Sequence, residues 1–342
     1  MRRTRRIVAI GAVCSALIVG MVGPTLVASA DPQVEVLLSG LSSPKGLALD
    51  LDDNLIVGQG AFGPPGPVLL FFLRGPDQGT AVEVTDPVNV MDVAIGPDGS
   101  GWAIGGDGVL YRQEIGGDIE AVLDILAYQA GDPDPFDQEG NPTESNPYGL
   151  AVLPTGDALV ADAAGNDLLR VTPAGVATTM ARFDVETVST IESEAVPTTV
   201  TIGPDGAVYV GELQGAPFLP GTSHIWRIDP NASGVLCSVD GSDPGCSMYA
   251  EGFTAVVDIA FDARRGKLYV YELAEDGVLA FEAGFETGEF PPAVLLSVRG
   301  DKRREIAAGL LSQPGGVVVT HRGDVFVTDG MFSDGRLVHV RR

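Results

Sequence analysis

Six acidic residues recur at equivalent places in this 342-residue chain. Four of them end short apolar runs and two open such runs; the first set is Asp162, Glu212, Glu272 and Asp329, and the second is Asp92 and Asp258. Carboxylates gathered round one point repel each other unless some bind protons, water solvates them or a cation neutralises them. Calcium accepts oxygen ligands in flexible geometry. The six residues are therefore candidate calcium ligands; a solvated polar channel and structural roles, such as accepting backbone hydrogen bonds, are the alternative interpretations.

These places are equivalent because the chain repeats. One mark opens an apolar run, and it occurs at Gly46, Asp92, Gly149, Thr199, Asp258 and Gly316. A second mark ends the next run, and it occurs at Gln59, Gly105, Asp162, Glu212, Glu272 and Asp329. Within each pair the two marks are 13 residues apart in five repeats and 14 in one. Such a fixed register indicates repeated supersecondary units.

Each repeat has the length of four short strands and their turns. The fourth shows this most clearly, since Gly203-Pro204-Asp205-Gly206 separates two apolar runs and has the composition of a tight turn. The pattern predicts an all-β fold, a six-bladed β-propeller of four-stranded blades. In that fold the inner-strand entries and the second-strand ends meet on one face, so we expect the six carboxylates around the central channel.

The last repeat supplies only three apolar runs. The segment Val34 to Ser39 is the natural source of the fourth strand, and pairing the N-terminal strand into the last blade would close the ring and remove an open sheet edge. We therefore expect residues 31–342 to form a single propeller domain.

Residues 1–30 have the pattern of a signal peptide. Four arginines precede the apolar run Ile7 to Val22, and Ala28-Ser29-Ala30 follows it, as signal peptidase requires. A retained membrane anchor is the alternative. Signal cleavage predicts a secreted or extracytoplasmic protein without a transmembrane anchor.

The formal net charge of −25 argues against nucleic-acid binding, which needs positive surface to meet phosphates. In an oxidising compartment Cys237 and Cys246 would form a local disulfide across a surface hairpin.

Two long insertions are candidates for recognition, because loops on a rigid ring commonly carry binding residues. They are Leu123 to Asn146, whose first part could form a short helix, and Gln214 to Thr222. The candidate ligand-binding residues are Asn146, Asn166, Gln214 and Phe218. Packing of the loops onto the blades below is the alternative role for their aromatic residues.

Several longer motifs resemble one family over essentially all of the chain after residue 30. They are Gly40-Leu41-Ser42-Ser43-Pro44-Lys45-Gly46-Leu47-Ala48, Ser145-Asn146-Pro147-Tyr148-Gly149-Leu150, Ala161-Asp162-Ala163-Ala164-Gly165-Asn166-Asp167-Leu168-Leu169-Arg170 and Tyr209-Val210-Gly211-Glu212-Leu213-Gln214-Gly215-Ala216-Pro217-Phe218. They resemble the ScyD/ScyE family of secreted proteins, which is related to the NHL and SMP-30-like six-bladed propellers. The resemblance implies the propeller fold and no particular reaction for the family as a whole.

The SMP-30-like relatives imply one possible reaction. In lactonases of that type a central cation polarises a lactone or ester carbonyl and a carboxylate helps to activate water. By that resemblance Glu212 and Asp162 are the candidate catalytic residues. The chain departs from the lactonase pattern at Gln59, where a metal-binding Glu would be expected, and at Gly105, which offers no ligand.

Together these patterns predict a secreted propeller that acts as a binding or scaffold module. Its acidic central face would accept a cation, a small polar ligand or a secreted or envelope protein partner. A calcium-dependent lactonase or esterase is the alternative function.

Overall fold

The computed structural model describes residues 33–241 and 243–341, and it confirms the predicted fold. The described residues form six main sheets and two short helices, arranged as a six-bladed β-propeller. The predicted signal peptide lies outside the described residues. No helix in the described ranges is long and apolar enough to cross a membrane.

The first strand of the chain belongs to the last blade, and the next eight strands form blades 1 and 2. The first is β1 (Val34–Ser42). Blade 1 contains β2 (Leu47–Leu49), β3 (Leu55–Val57), β4 (Leu69–Phe71) and β5 (Ala81–Glu83). Blade 2 contains β6 (Val90–Ile95), β7 (Gly101–Gly105), β8 (Val109–Gln113) and β9 (Ile119–Asp124).

Blade 3 follows a long connection that begins with the short helix α1 (Ile125–Gln129), whose first turn is capped by the Asp124 carboxylate. The blade contains β10 (Pro147–Val152), β11 (Ala158–Asp162), β12 (Asp167–Val171) and β13 (Ala177–Phe183). The hairpin of β14 (Glu186–Val188) and β15 (Ile191–Ser193) then leads to blade 4.

Blade 4 carries an insertion that extends its neighbour. It contains β16 (Pro197–Ile202), β17 (Val208–Glu212), β18 (Ser223–Ile228) and, after the inserted β19 (Val235–Cys237), β20 (Cys246–Phe253). Strand β19 pairs in parallel with β13, so it is a fifth strand of blade 3. A disulfide joins Cys237 in β19 to Cys246 in β20.

The disulfide confirms the predicted pairing, but its setting differs from the expected surface hairpin. Both half-cystines are buried, and the bond links the outer edges of blades 3 and 4. The reason is that residues between β18 and β20 pair with the preceding blade instead of forming a free turn.

Blades 5 and 6 complete the ring. Blade 5 contains β21 (Val256–Asp262), β22 (Lys267–Glu272), helix α2 (Gly277–Thr287), β23 (Val294–Arg299) and β24 (Lys302–Ile306). Blade 6 contains β25 (Val317–Val319), β26 (Val325–Asp329) and β27 (Asp334–Val340). Strand β1 pairs antiparallel with β27 and forms the outer edge of this sheet.

The core lies in layers between neighbouring blades. Side chains alternate along each strand, so one face of a blade packs against the preceding blade and the other against the following one. The layers between blades contain buried aromatic residues at most interfaces, for example Trp226 and Phe183 between blades 3 and 4. The six inner strands β2, β6, β10, β16, β21 and β25 are neighbours in a closed ring, and this ring positions the residues of the central channel.

Candidate functional site

The inner strands enclose a central cavity of about 340 Å³. Its wall is mostly apolar, and it includes Leu47, Val200 and Ile259 from three different blades. Asp92 and Asp258 are the two charged residues in this wall. The cavity extends from these carboxylates to the first turns of blades 4 and 5, near Pro204 and Ala263, on the face opposite the second-strand ends.

Asp92 is held at the entry of β6 by two backbone groups. Val93 N–H donates to Oδ1 at 2.9 Å, and Leu150 N–H of blade 3 donates to Oδ2 at 2.8 Å. The Lys45 ammonium lies 4.0 Å from Oδ2. Burial raises the pKa of Asp92 to about 6, Lys45 opposes this increase, and the charge of Asp258 adds to it.

Asp258 has the same arrangement three blades further round the ring. Its Oδ1 accepts hydrogen bonds from the Thr199 hydroxyl at 2.6 Å and from Ile259 N–H at 2.8 Å, and its Oδ2 accepts from Val317 N–H at 2.6 Å. Burial raises the pKa of this carboxyl also, and the hydrogen bonds partly offset the effect. Each aspartate therefore joins its own inner strand to that of the next blade.

An aromatic and cationic cluster lies at the carboxylate end of the cavity. The Lys45 ammonium donates to the carbonyl oxygen of Tyr148 at 2.6 Å and lies 4.0 Å from the centre of the Tyr148 ring. The ring of Phe62 is 6.3 Å from that of Tyr148 and 5.1 Å from that of Phe332. Lys45 is only 4% exposed, so little water solvates its charge. The Asp92 carboxylate and the face of the Tyr148 ring stabilise the ammonium group instead. Two carboxylates and one ammonium leave this end of the channel with an excess of negative charge when both aspartates are ionised.

The other four predicted carboxylates do not line the cavity. Asp162 accepts hydrogen bonds from the Ser145 hydroxyl at 2.5 Å, Asn146 N–H at 2.6 Å and Gly165 N–H at 3.1 Å. The Gln129 amide also donates to Asp162, at 3.2 Å. This carboxylate therefore fixes the connection that enters its own blade.

Glu212 is similarly engaged within blade 4. It accepts hydrogen bonds from the Trp226 indole at 2.6 Å and from His224 N–H at 3.0 Å, and it contacts the His224 ring through Nδ1. The side chain of Glu212 is 1% exposed. Both candidate catalytic carboxylates, Glu212 and Asp162, thus contact groups of their own blade or of its adjoining connections.

Glu272 and Asp329 complete the set of second-strand ends. Glu272 accepts a hydrogen bond from Thr254 N–H at 2.8 Å, and burial raises its pKa to about 7. Asp329 forms a salt bridge with Arg336, with Nε at 2.9 Å from Oδ1. Strand alternation directs these side chains onto the face of the blade, so they do not converge on the axis.

Within residues 33–241 and 243–341, no group of three or more His, Cys, Asp or Glu residues is placed to hold a metal ion. Gln59, at the second-strand end of blade 1, accepts from Ser42 N–H at 2.7 Å and donates to the Pro67 carbonyl at 2.6 Å. The structure thus brings together Asp92 and Asp258 from the predicted set, and calcium binding stays a prediction.

The predicted ligand-binding residues occupy separate places. Asn166 is 1% exposed and donates to Asp134 at 2.9 Å, and Gln214 is 2% exposed and donates to the Ser193 hydroxyl at 2.9 Å. Phe218 packs against the apolar cluster beneath α2. Asn146 is exposed, and its N–H donates to Asp162.

Lys45 and Tyr148 were not predicted as functional residues from the sequence. A signal was available, since each immediately precedes an inner-strand entry, at Gly46 and Gly149. Inner strands approach closely at these glycines: a Cβ on Gly149 would lie 2.7 Å from the Cα of Thr199. The glycines themselves have no side chain to place in the channel, so the side chains of the residues just before them lie nearest to its end.

Fold and channel together place the chain among the six-bladed β-propellers, and solved structures agree at the level of the fold. A glucose dehydrogenase matches with a TM-score of 0.56 and 16% identity over 91% of this chain and 100% of that one. The PQQ-bound aldose sugar dehydrogenase from Streptomyces coelicolor matches with a TM-score of 0.53 and 14% identity, over 93% and 100% of the two chains.

A third similar structure is a catalytically inactive virginiamycin B lyase from Staphylococcus aureus with quinupristin. Its TM-score is 0.51 and its identity 13%, over 92% of this chain and 98% of that one. No protein-family model and no curated protein matches the sequence. At these identities the similarity establishes the fold alone.

Proposed function

We propose that this protein is a binding propeller whose central channel takes a small ligand that carries a positive charge. The observation that supports the proposal is the pair of partly buried aspartates, Asp92 and Asp258, in the wall of one cavity. Burying two carboxylates with one nearby ammonium costs free energy. A second cation between them would offset that cost.

The ligand class follows from the size and lining of the cavity. A volume of about 340 Å³ is at the lower end for small-molecule sites. Its apolar wall suits a short aliphatic chain, and the carboxylates suit an ammonium group or a calcium ion at its end. The ligand would enter from the side of Pro204 and Ala263, at the end of the cavity opposite the two carboxylates.

We also propose that the protein acts outside the cytoplasm as a relative of the ScyD/ScyE proteins. A disulfide between Cys237 and Cys246 supports an oxidising compartment, and the pattern of residues 1–30 supports export. The longer motifs that include Lys45 and Tyr148 support the family relationship. A secreted or envelope protein is the alternative partner that we propose for this face.

Isothermal titration calorimetry with putrescine, and separately with calcium, tests the proposal. We expect saturable one-to-one binding of at least one of them, and we expect Asp92→Asn and Asp258→Asn each to weaken it by roughly tenfold or more, because a charged hydrogen-bond acceptor is lost. Asp301→Asn, in an exposed turn of blade 5, is the matched control and should bind normally. Absence of heat for both probes, or equal binding by all variants, would contradict the proposal.

A further inference from the structure

A second and larger cavity lies between blades 1 and 2. This interblade cleft has a volume of about 920 Å³, which is within the range of small-molecule sites, roughly 300–1,000 Å³. Val68 and Val84 of blade 1 lie on one wall, and Val93, Ile95 and Ala103 of blade 2 lie on the other. The cleft shares Val93, Ala94 and Ile95 with the wall of the central cavity, and its lining includes neither Asp92 nor Asp258.

The cleft exists because the second strand of blade 2 lacks side chains on the face toward blade 1. Two residues before the strand end, the six blades have Val57, Ala103, Val160, Val210, Val270 and Val327. Four residues before the end, they have Leu55, Gly101, Ala158, Val208, Leu268 and Val325. Both positions face the preceding blade. Blade 2 is thus the one blade with alanine at the first position and glycine at the second.

The opposite wall does not fill the missing volume. The apolar cluster between blades 1 and 2 has no aromatic member among the described residues, whereas each of the other five interblade clusters has at least one. Ile56 stands at the position that Tyr209, Tyr269 and Phe326 occupy in later blades. Protein interiors are normally close-packed, so an unfilled interface of this size loses contacts that a bound molecule would restore.

Polar groups lie at one end of the cleft. The Tyr111 hydroxyl donates to the Asp107 carboxylate at 2.6 Å, and burial, together with this bond, raises the pKa of Tyr111 to about 12. Asp118 also lines the cleft. The terminal nitrogens of Arg112 are paired with Asp98 at 2.8 Å and Glu114 at 2.9 Å, whereas its Nε is buried without a hydrogen-bond partner among the described residues. Because the carboxylates of Asp107 and Asp118 outnumber this one guanidinium in the lining, the polar end favours a cation over an anion.

We propose that the interblade cleft binds a flat apolar molecule that carries a cationic or hydrogen-bond-donating group. The flat part would lie against the backbone at Gly101 and the methyl group of Ala103. The donor group would reach the carboxylate of Asp107. This is a binding site in addition to the central channel, and it takes a different class of ligand.

Thioflavin T, a planar cationic dye whose fluorescence increases when it is held rigid, is a suitable probe. We expect saturable one-to-one binding to the wild-type protein. Ala103→Phe would fill the cleft and weaken binding by roughly tenfold or more, and Ala103→Val, which restores the residue of the other five blades, would weaken it with no loss of thermal stability. Asp107→Asn would weaken binding of the dye and leave the melting temperature unchanged.

The matched control is Ala283→Phe, which places the same new side chain on the exposed face of α2 and should bind the dye as the wild type does. The anionic dye 8-anilinonaphthalene-1-sulfonate should bind more weakly than thioflavin T. No saturable binding of thioflavin T, or equal affinity in the folded Ala103→Val, Ala103→Phe and wild-type proteins, would overturn the proposal.

Discussion

At the residue scale, the sequence identified the six carboxylates but not their directions. Asp92 and Asp258 follow irregularities in strand register, between Val90 and Asp92 and between Val256 and Asp258. A β-bulge changes the direction of the side chain next to it, so simple alternation could not show that these two residues reach the channel. For the second-strand ends the alternation is regular, and it places their side chains on the blade faces.

The raised pKa of Asp92 leads to a prediction about pH. Burial raises this pKa to about 6, so the carboxyl is mostly protonated below that pH. The neutral carboxyl attracts a protonated amine much less strongly than the ionised carboxylate does. Putrescine affinity should therefore fall as the pH decreases through 6, by at most roughly tenfold per unit. Calorimetry across this interval measures the effect.

Glu272 also has a raised pKa, of about 7, and its titration overlaps that of Asp92. Asp92→Asn is therefore the control that shows which of the two carboxyl groups causes the pH dependence. In that variant the part of the dependence that Asp92 contributes near pH 6 should disappear, which leaves only the contribution of Asp258, whose pKa is also raised by burial. The same raised pKa means that the ligand-free protein loses stability as the pH increases from the ordinary carboxyl range toward 6, since the folded state then binds more protons than the unfolded state. Affinity that is constant with pH would contradict the role of Asp92.

At the element scale, the strands were predictable and several connections were not. The inner and second strands follow from repeated apolar runs and turns, and the structure has a short helix, α1, where the first insertion begins. Helix α2 (Gly277–Thr287) was not predicted, and it lies between the second and third strands of blade 5. Strand β19 was also missed, because its parallel pairing with β13 joins residues that are far apart in the sequence.

The disulfide between β19 and β20 gives a prediction at this scale. Replacing both Cys237 and Cys246 with alanine should lower the free energy of unfolding by about 2–4 kcal/mol, because the unfolded loop is no longer constrained. The loss should appear in urea unfolding curves of the oxidised protein. A reducing agent should reproduce it in the wild type and leave the double variant unchanged; equal stability with and without the bond would contradict the proposed role.

At the scale of the whole molecule, the number of blades could be predicted from the fixed spacing of the marks. The two cavities could not, because both depend on distances between residues of different blades. The channel results from inner strands that approach closely at glycines such as Gly149 and Gly316. The interblade cleft results from one blade that departs from the common pattern at Gly101 and Ala103.

Pairing of β1 with β27 joins the two ends of the described chain, so the ring should unfold as a unit. Leu38 in β1 is 2% exposed and packs with Phe326 and Leu337. Leu38→Ala should lower the free energy of unfolding by about 2–4 kcal/mol. Urea denaturation measures this change.

The matched control in the same strand is Glu35→Ala, which removes a partly exposed ion pair with Arg341 and should cost less than about 1 kcal/mol. Hydrogen exchange distinguishes a cooperative ring from local release of one strand. Exchange that increases in β1 alone, with the other blades unaffected, would show that the closing strand does not stabilise the whole fold.

The most direct test of the central claim is a crystal structure of the protein with the tighter-binding of putrescine and calcium at saturating concentration. The account predicts ligand density in the central channel, with a nitrogen or a calcium ion in contact with the carboxylates of both Asp92 and Asp258. An empty channel with ligand density elsewhere, or no density for either ligand, would contradict it.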